Sequence, residues 1–302
     1  RQRVLEQIAA LGYRRNSAAR ALVTRRSGIL GVITSTSVHF GPSSILLAVE
    51  LAARQVGYFT AVAPVEHFTH EALDQALDYF LSLSAEGIII IAPIEDVADA
   101  GSVARAGVPL VGVTSQALAA TTGLIPVSVD QEGGARDAVE HLLSLGHTDI
   151  VHVPGPPGWF EAQARQTAWQ QAMTQAGLPA RVVGSGSWEA AAGYEAGRQL
   201  LREGLPTGVF AANDELALGL IRALVEAGLS VPRDVSVVGF DDIPVAPFYL
   251  PPLTTVRQDF IDLGRQVVAT LVDAIGGSTQ LPVVRPARLV VRKSTAPPTP
   301  RR

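Results

Sequence analysis

Residues 234–260 read DVSVVGFDDIPVAPFYLPPLTTVRQDF, and this stretch decides the fold. Val235, Val237, Val238 and Phe240 form a short apolar run with Pro232 and Asp234 before it and two carboxylates after it. That pattern predicts a strand buried in a parallel sheet. Asp241 and Asp242 then fall at its carboxyl end, outside which open α/β sheets bind their ligands. The proline-laced segment from Pro244 to Pro252 is incompatible with helix or central strand and reads as a surface connection. Thr254 to Arg257 resumes an extended run, and Gln258 and Phe260 are expected to open the helix that follows.

Working outward, the pattern is strand, helix, strand with little interruption. Toward the amino end, strands are expected at Ile29–Ile33, Tyr58–Val62, Ile88–Ile91 and Leu110–Val113. Helices are expected at Ser43–Val56, Glu71–Leu83 and Val97–Ala106. A second round starts with a strand ending at Val129 and a helix from about Gly133 to Leu145. Strands follow at Ile150–Val153, near Val182 and at Val209–Ala211, separated by helices around Ala162–Ala176, Ala190–Arg202 and Glu215–Ala227. Leu263–Ala274 is a last long helix and Leu289–Arg292 a last strand. Such alternation demands parallel sheets with helices on both faces, so the class is α/β and doubly wound.

Composition narrows the classes. At 302 residues and 47% hydrophobic content the chain can bury a sizeable core, and its length suggests two domains. No apolar run reaches the roughly 18 residues that span a bilayer, and the Arg-rich amino end lacks the apolar region of a signal peptide, so a cytoplasmic, membrane-free protein is expected. With no cysteine there is no disulfide, thiol nucleophile or Cys-ligated zinc. Residues 1–26 hold seven Arg and one Glu, whereas the remainder holds 17 basic and 27 acidic residues. A basic arm on an acidic body suggests nucleic acid at one end; a solvated terminal helix explains the charge equally well.

Taken together, VPRDVSVVGFDD and PPLTTVRQDF resemble the effector-binding core of the lac/galactose repressor family of bacterial transcription regulators, in its sugar-responsive branch. The likeness runs from Leu11 to Thr295. It implies two parallel-sheet subdomains of periplasmic-binding-protein-like type with a ligand cleft between them, preceded by a helical DNA-binding remnant. The implied divisions are 1–26 for the remnant and hinge, 28–129 with 256–285 for the first subdomain, 130–255 with 286–296 for the second, and 297–302 for a disordered tail. GYRRNSAARALVTRRSG is similar to the family's hinge: Asn16 or Ser17 would cap it, Ala18 and Ala19 would allow close approach to DNA, Arg20 would contact it, and Leu22 would wedge the minor groove. Arg15 stands where the family usually has proline. The recognition helix that reads the major groove is expected to be missing, so residues 1–302 alone should not read an operator. The tail STAPPTPRR offers no tetramer-forming helix, which favours a homodimer.

The resemblance also implies the effector site. Arg165 would reach into the cleft, its planar fork suited to vicinal hydroxyls; from position alone it could instead be an exposed helix Arg four residues from Glu161. Asp241 would accept from sugar hydroxyls, with Asn213 and Gln258 as further polar contacts. Asn213 could equally cap a helix, and Gln258 could lie on the surface. Trp188 and Phe260 would be aromatic walls for a sugar's C–H face, Trp188 having loop anchoring as its alternative. On the first subdomain Ser35, His39, Pro42, Ile45, His67 and Thr114 are candidates, and Ile91 points to a drier wall. No cofactor or metal site is implied; His67, His70 and Glu71 read as a helix start.

The expected function is therefore a sugar- or glycoside-responsive repressor released from operator DNA by its effector. A glycosidase using Asp241 and Asp242 is disfavoured, because adjacent residues leaving a strand diverge, whereas hydrolysis needs two carboxyls flanking one bond. A solute-binding protein of a sugar transporter shares the fold but has no use for a groove-wedging hinge.

Overall fold

The computed structural model describes residues 26–36, 39–66, 68–91, 106–115, 122–184 and 186–299. The helix expected at Val97–Ala106, the hinge with Asn16, Ala19, Arg20 and Leu22, and His67 fall wholly or almost wholly outside them.

Two six-stranded sheets carry the fold. The first contains β1 (Ile29–Ser35), β2 (Phe59–Val65), β3 (Gly87–Ile91), β4 (Leu110–Val113), β5 (Ile125–Val129) and β11 (Val283–Arg285), in the order β11-β5-β4-β3-β1-β2. The second contains β6 (Ile150–Val153), β7 (Arg181–Val182), β8 (Gly208–Ala211), β9 (Ser236–Asp241), β10 (Thr254–Arg257) and β12 (Arg288–Val290), in the order β12-β10-β9-β8-β6-β7. All pairings are parallel except that of β10 with β12. The chain thus passes between sheets after β5, after β10 and between β11 and β12. The apolar part of β11 is only Val283 and Val284, too short to mark a strand by itself; its pairing to β5 makes it one.

Both faces of each sheet are covered, which is why β3 (GIIII) and β9 (SVVGFD) are buried at every position. In the first lobe, α1 (Phe40–Gln55) and α7 (Phe260–Ile275) cover one face with Val49, Leu263 and Leu271, and α2 (His70–Ser82) covers the other with Leu73 and Phe80. In the second, α3 (Gln131–Ser144) and α4 (Phe160–Gln175) lie on one face, and α5 (Ala190–Glu203) and α6 (Asp214–Glu226) on the other. The last two cross so closely that a Cβ on Gly219 would sit 1.7 Å from the Ala190 carbonyl oxygen. No described helix is long and apolar enough to cross a membrane.

Helix starts are set by short polar side chains. Asp130, Asn213 and Asp259 each accept a hydrogen bond from a backbone N–H three residues on, capping α3, α6 and α7. Gln258 therefore precedes its helix instead of opening it, and its side chain is left for the cleft. The 244–252 connection reaches the surface at Phe248 and Leu250, yet Ala246 and Tyr249 pack into the second lobe's core.

Candidate functional site

A cleft enclosing about 680 Å³ of space, part of it open to solvent, lies between the lobes, the kind of concave site in which small molecules bind. Its first-lobe wall is largely apolar, made of Phe40, Pro42, Ile45, Ile91, Val113 and Leu263. Its other wall carries Gln131, Glu161, Arg165, Asn213, Asp241 and Gln258, with Trp159 and Trp188. Phe260 borders it, edge-on to Phe40 at 5.6 Å between ring centroids. His39 meets Trp159 edge-on at 5.6 Å.

The polar wall is organised as a closed hydrogen-bond ring. Arg165 Nε donates to Gln131 Oε1 at 2.9 Å, Gln131 Nε2 to Gln258 Oε1 at 2.8 Å, and Gln258 Nε2 to Asp241 Oδ1 at 2.6 Å. Arg165 Nη2 closes the ring on Asp241 Oδ1 at 3.4 Å, and its Nη1 donates to the Ala212 carbonyl at 2.5 Å. The guanidinium also lies 3.8 Å from the centroid of the Phe240 ring, with no pairing to Glu161. Arg165 is only 3% exposed, which excludes the alternative of a surface helix arginine: helical spacing located Glu161 but could not show which face was buried. Gln131 and Gln258 sit just beyond β5 and β10, so the ring stitches two interlobe crossings together.

Asp241 ends β9 with φ +104° and Asp242 follows at φ +51°. These left-handed backbones are uncommon for non-glycine residues and turn the adjacent carboxylates apart. Asp241 faces the cleft. Asp242 instead accepts from Arg257 Nε and Arg292 Nη2, both at 2.5 Å. Burial raises the Asp241 carboxyl to about 6, against the opposing pull of Arg165 and of the Gln258 hydrogen bond. Asp214, fully buried at the start of α6, is also raised by burial; it accepts from Thr255 Oγ1 and the Ile243 N–H and braces the turn after β9.

Several expectations change in detail. Asn213 lines the cavity, but its carbonyl oxygen caps α6 at Leu216 N (2.8 Å) and its amide donates to the Trp188 carbonyl (3.1 Å). Trp188 lines the cavity but is also a core residue pressed on Gly155, where a Cβ would lie 2.4 Å from the ring. Trp159, which stands edge-on to Trp188 at 5.6 Å, is the more open aromatic wall. Ser35 and Thr114 do not line the cavity, whereas Ser128 does. Val32 and Val113 pack in the core under one face of the first sheet, and strand alternation sends Ser35 and Thr114 to the other face. Gln131, Trp159 and Glu161 were not singled out from the sequence. The position of Gln131 just after a crossover strand is the one signal that could have found it.

Such an arrangement, two lobes joined by three crossings with a polar ring at the hinge, defines a small-molecule receptor of hinged α/β type. A model of the periplasmic binding protein-like domain matches residues 139–295. The lactose operon repressor of Escherichia coli (strain K12) is 36% identical over 307 residues, covering 99% of this chain and 83% of that protein. A solved structure of the Lac repressor bound to ONPG in the repressed state superposes with a TM-score of 0.86 at 33% identity, over 97% of this chain and 90% of that one. Another, of the Lac repressor dimer bound to operator and the anti-inducer ONPF, gives 0.84 at 34% identity over 94% and 99%. The chain belongs to the lac/galactose repressor family of transcription regulators.

Proposed function

We propose that this protein is a sugar- or glycoside-responsive, DNA-binding repressor that acts as a cytoplasmic homodimer without enzymatic activity. The observation that carries the effector class is the closed ring of Arg165, Gln131, Gln258 and Asp241 beside Trp159. Fixed planar donors and acceptors suit a polyol's hydroxyls, and flat rings suit its C–H faces. Arg165 and Asp241 balance each other's charge, which fits an uncharged effector. The divergence of Asp241 from Asp242 supports binding over hydrolysis, because the two cannot flank one glycosidic bond.

Dimer pairing is placed on the first lobes. Leu47 and Leu51 on α1 are 58% and 50% exposed, and Phe59 on the edge strand β2 is 70% exposed, an apolar surface suited to a self-complementary contact. Arg26, where the chain enters the core, is held by Glu86 and Tyr58, and the Gly28 N–H donates to Glu86 Oε1 at 2.7 Å. A rigid attachment there passes a change of first-lobe angle to whatever precedes it. An effector shifts operator affinity only through its differential affinity for the two lobe arrangements.

The test is a thermal-shift screen against monosaccharides, disaccharides, β-glycosides, nucleosides and nucleobases. A sugar present at 100 times its Kd stabilises by about 2.7 kcal/mol, a readily measured rise in Tm. A rise confined to one sugar class and lost in Asp241→Ala supports the reading. A response to nucleobases alone overturns it, as does colour release from a nitrophenyl glycoside by the pure protein.

A further inference from the structure

We infer that Glu161 is a second effector-contacting carboxyl of this cleft, acting as a neutral acid whose O–H donates to an uncharged oxygen of the sugar and so selecting neutral sugars over amino sugars and sugar acids. The inference rests on the sugar-binding reading above.

Glu161 opens α4 one turn before Arg165 and borders the cavity beside Trp159. Its Oε2 is sealed from bulk water and has no hydrogen-bond partner. Arg165, four residues on, would be its natural cation. That guanidinium is instead occupied by Gln131, the Ala212 carbonyl and Asp241. The other titratable groups on the cavity are Asp241, whose charge opposes ionisation of Glu161, and His39, which lies against Trp159. Burial lifts the Glu161 carboxyl to about 8, outweighing the hydrogen bond from its own backbone N–H and the attraction of Arg165, which both favour the carboxylate.

A buried carboxyl with one unpartnered oxygen is costly in either form, and least costly as the acid. As an acid it offers an O–H donor in a wall where the Arg165, Gln131 and Gln258 donors already serve the ring and Trp188 Nε1 alone of the named donors has no partner. A sugar hydroxyl or ring oxygen satisfies it without moving a charge. A sugar acid would bring a second anion to a cleft with no uncommitted cation among its lining residues. An ammonium would have to lose its water and force Glu161 to ionise beside Asp241, against the desolvation that keeps it neutral.

The experiment is calorimetric titration of wild type, Glu161→Gln and Glu161→Ala from pH 7 to 10. The probes are galactose, glucose, lactose and cellobiose, the amino sugars galactosamine and glucosamine, and galacturonic acid. For the neutral sugar that binds, wild-type affinity is expected to hold to about pH 8 and then fall about tenfold per pH unit, as the acid form is depleted. Glu161→Gln, which keeps a donor, should bind that sugar with no such fall, and Glu161→Ala should bind it weakly at every pH. In parallel, the wild-type minus Glu161→Gln infrared difference spectrum at pH 7 should show the band of a protonated carboxyl, a comparison in which Asp214 and Asp241 cancel. Neutral-sugar binding that is unaltered by both substitutions overturns the Glu161 assignment while leaving the sugar reading intact. Preference for an amino sugar, strengthening as pH rises, overturns the neutral-acid role. Binding of none of these sugars overturns the sugar reading, and with it the contact.

Discussion

The two walls of the cleft are built on opposite principles. The second-lobe wall and the crossings present a ring in which Arg165, Gln131, Gln258 and Asp241 hold one another at 2.6–3.4 Å. The first-lobe wall presents Pro42, Ile45, Ile91 and Val113, with no comparable network. An interlocked ring fixes hydrogen-bond directions before any effector arrives, which limits the ordering cost of binding. An apolar wall has no directions to satisfy and tolerates sliding as the lobes change angle. The contrast assigns orientation and recognition to one lobe and closure to the other.

The most severe way to break this division is Arg165→Ala. It strands the Asp241 carboxylate and the Gln131 and Ala212 oxygens, so a loss of about 3–5 kcal/mol of stability is expected, as for other buried pairs cut on one side. Sugar binding should vanish with it; urea unfolding and calorimetry measure the two effects. Asp241→Asn keeps the shape but swaps an acceptor for a donor facing Gln258. Effector affinity should drop by about 1.5–3 kcal/mol, the scale of a hydrogen bond to a charged group. The adjacent Asp242→Asn should do the reverse, lowering Tm through Arg257 and Arg292 while leaving sugar affinity within twofold. Equal effects of the two substitutions on sugar affinity would erase the claimed divergence.

Acid–base behaviour sharpens the comparison further. A carboxyl whose folded value is raised, as at Glu161 (about 8), stabilises fully below its unfolded value of about 4.3. That contribution is lost as pH rises through the folded value. Glu161→Gln should therefore gain Tm relative to wild type as pH climbs from about 4 to 8, by a few degrees, and then keep a constant difference. On the apolar wall, Ile91→Val should cost only about 0.5–1.5 kcal/mol of stability. It should change sugar affinity little, since no hydrogen bond depends on it. A loss of affinity as large as that of Asp241→Asn would place recognition on both walls.

Much of the fold was legible because its strands are buried on both faces. Runs such as Ile88–Ile91 and Val235–Phe240 have no other plausible environment, and the carboxylates after the second run marked a strand end. β11 was not legible, since an edge strand with one parallel neighbour needs no apolar run. Within the site, strand-end position identified Asp241, and family resemblance identified Arg165 and Gln258. Ser35 and Thr114 came from the family resemblance, and neither lines the cavity of this chain. Glu161 was overlooked because i,i+4 spacing from an arginine suggests a solvated pair, whereas that arginine turns inward.

By itself, then, the sequence determined two doubly wound sheets, their repeated strand–helix order and the strand end on which the site is built, because these follow from local periodicity and from the hydrophobicity of buried strands. Tertiary structure alone decided which polar side chains meet. Gln131 and Gln258 are 127 residues apart in the chain, and Arg165 and Asp241 are 76 apart. Their hydrogen bonds exist because three crossings bring the two sheets' carboxyl ends together, and no local pattern encodes that meeting.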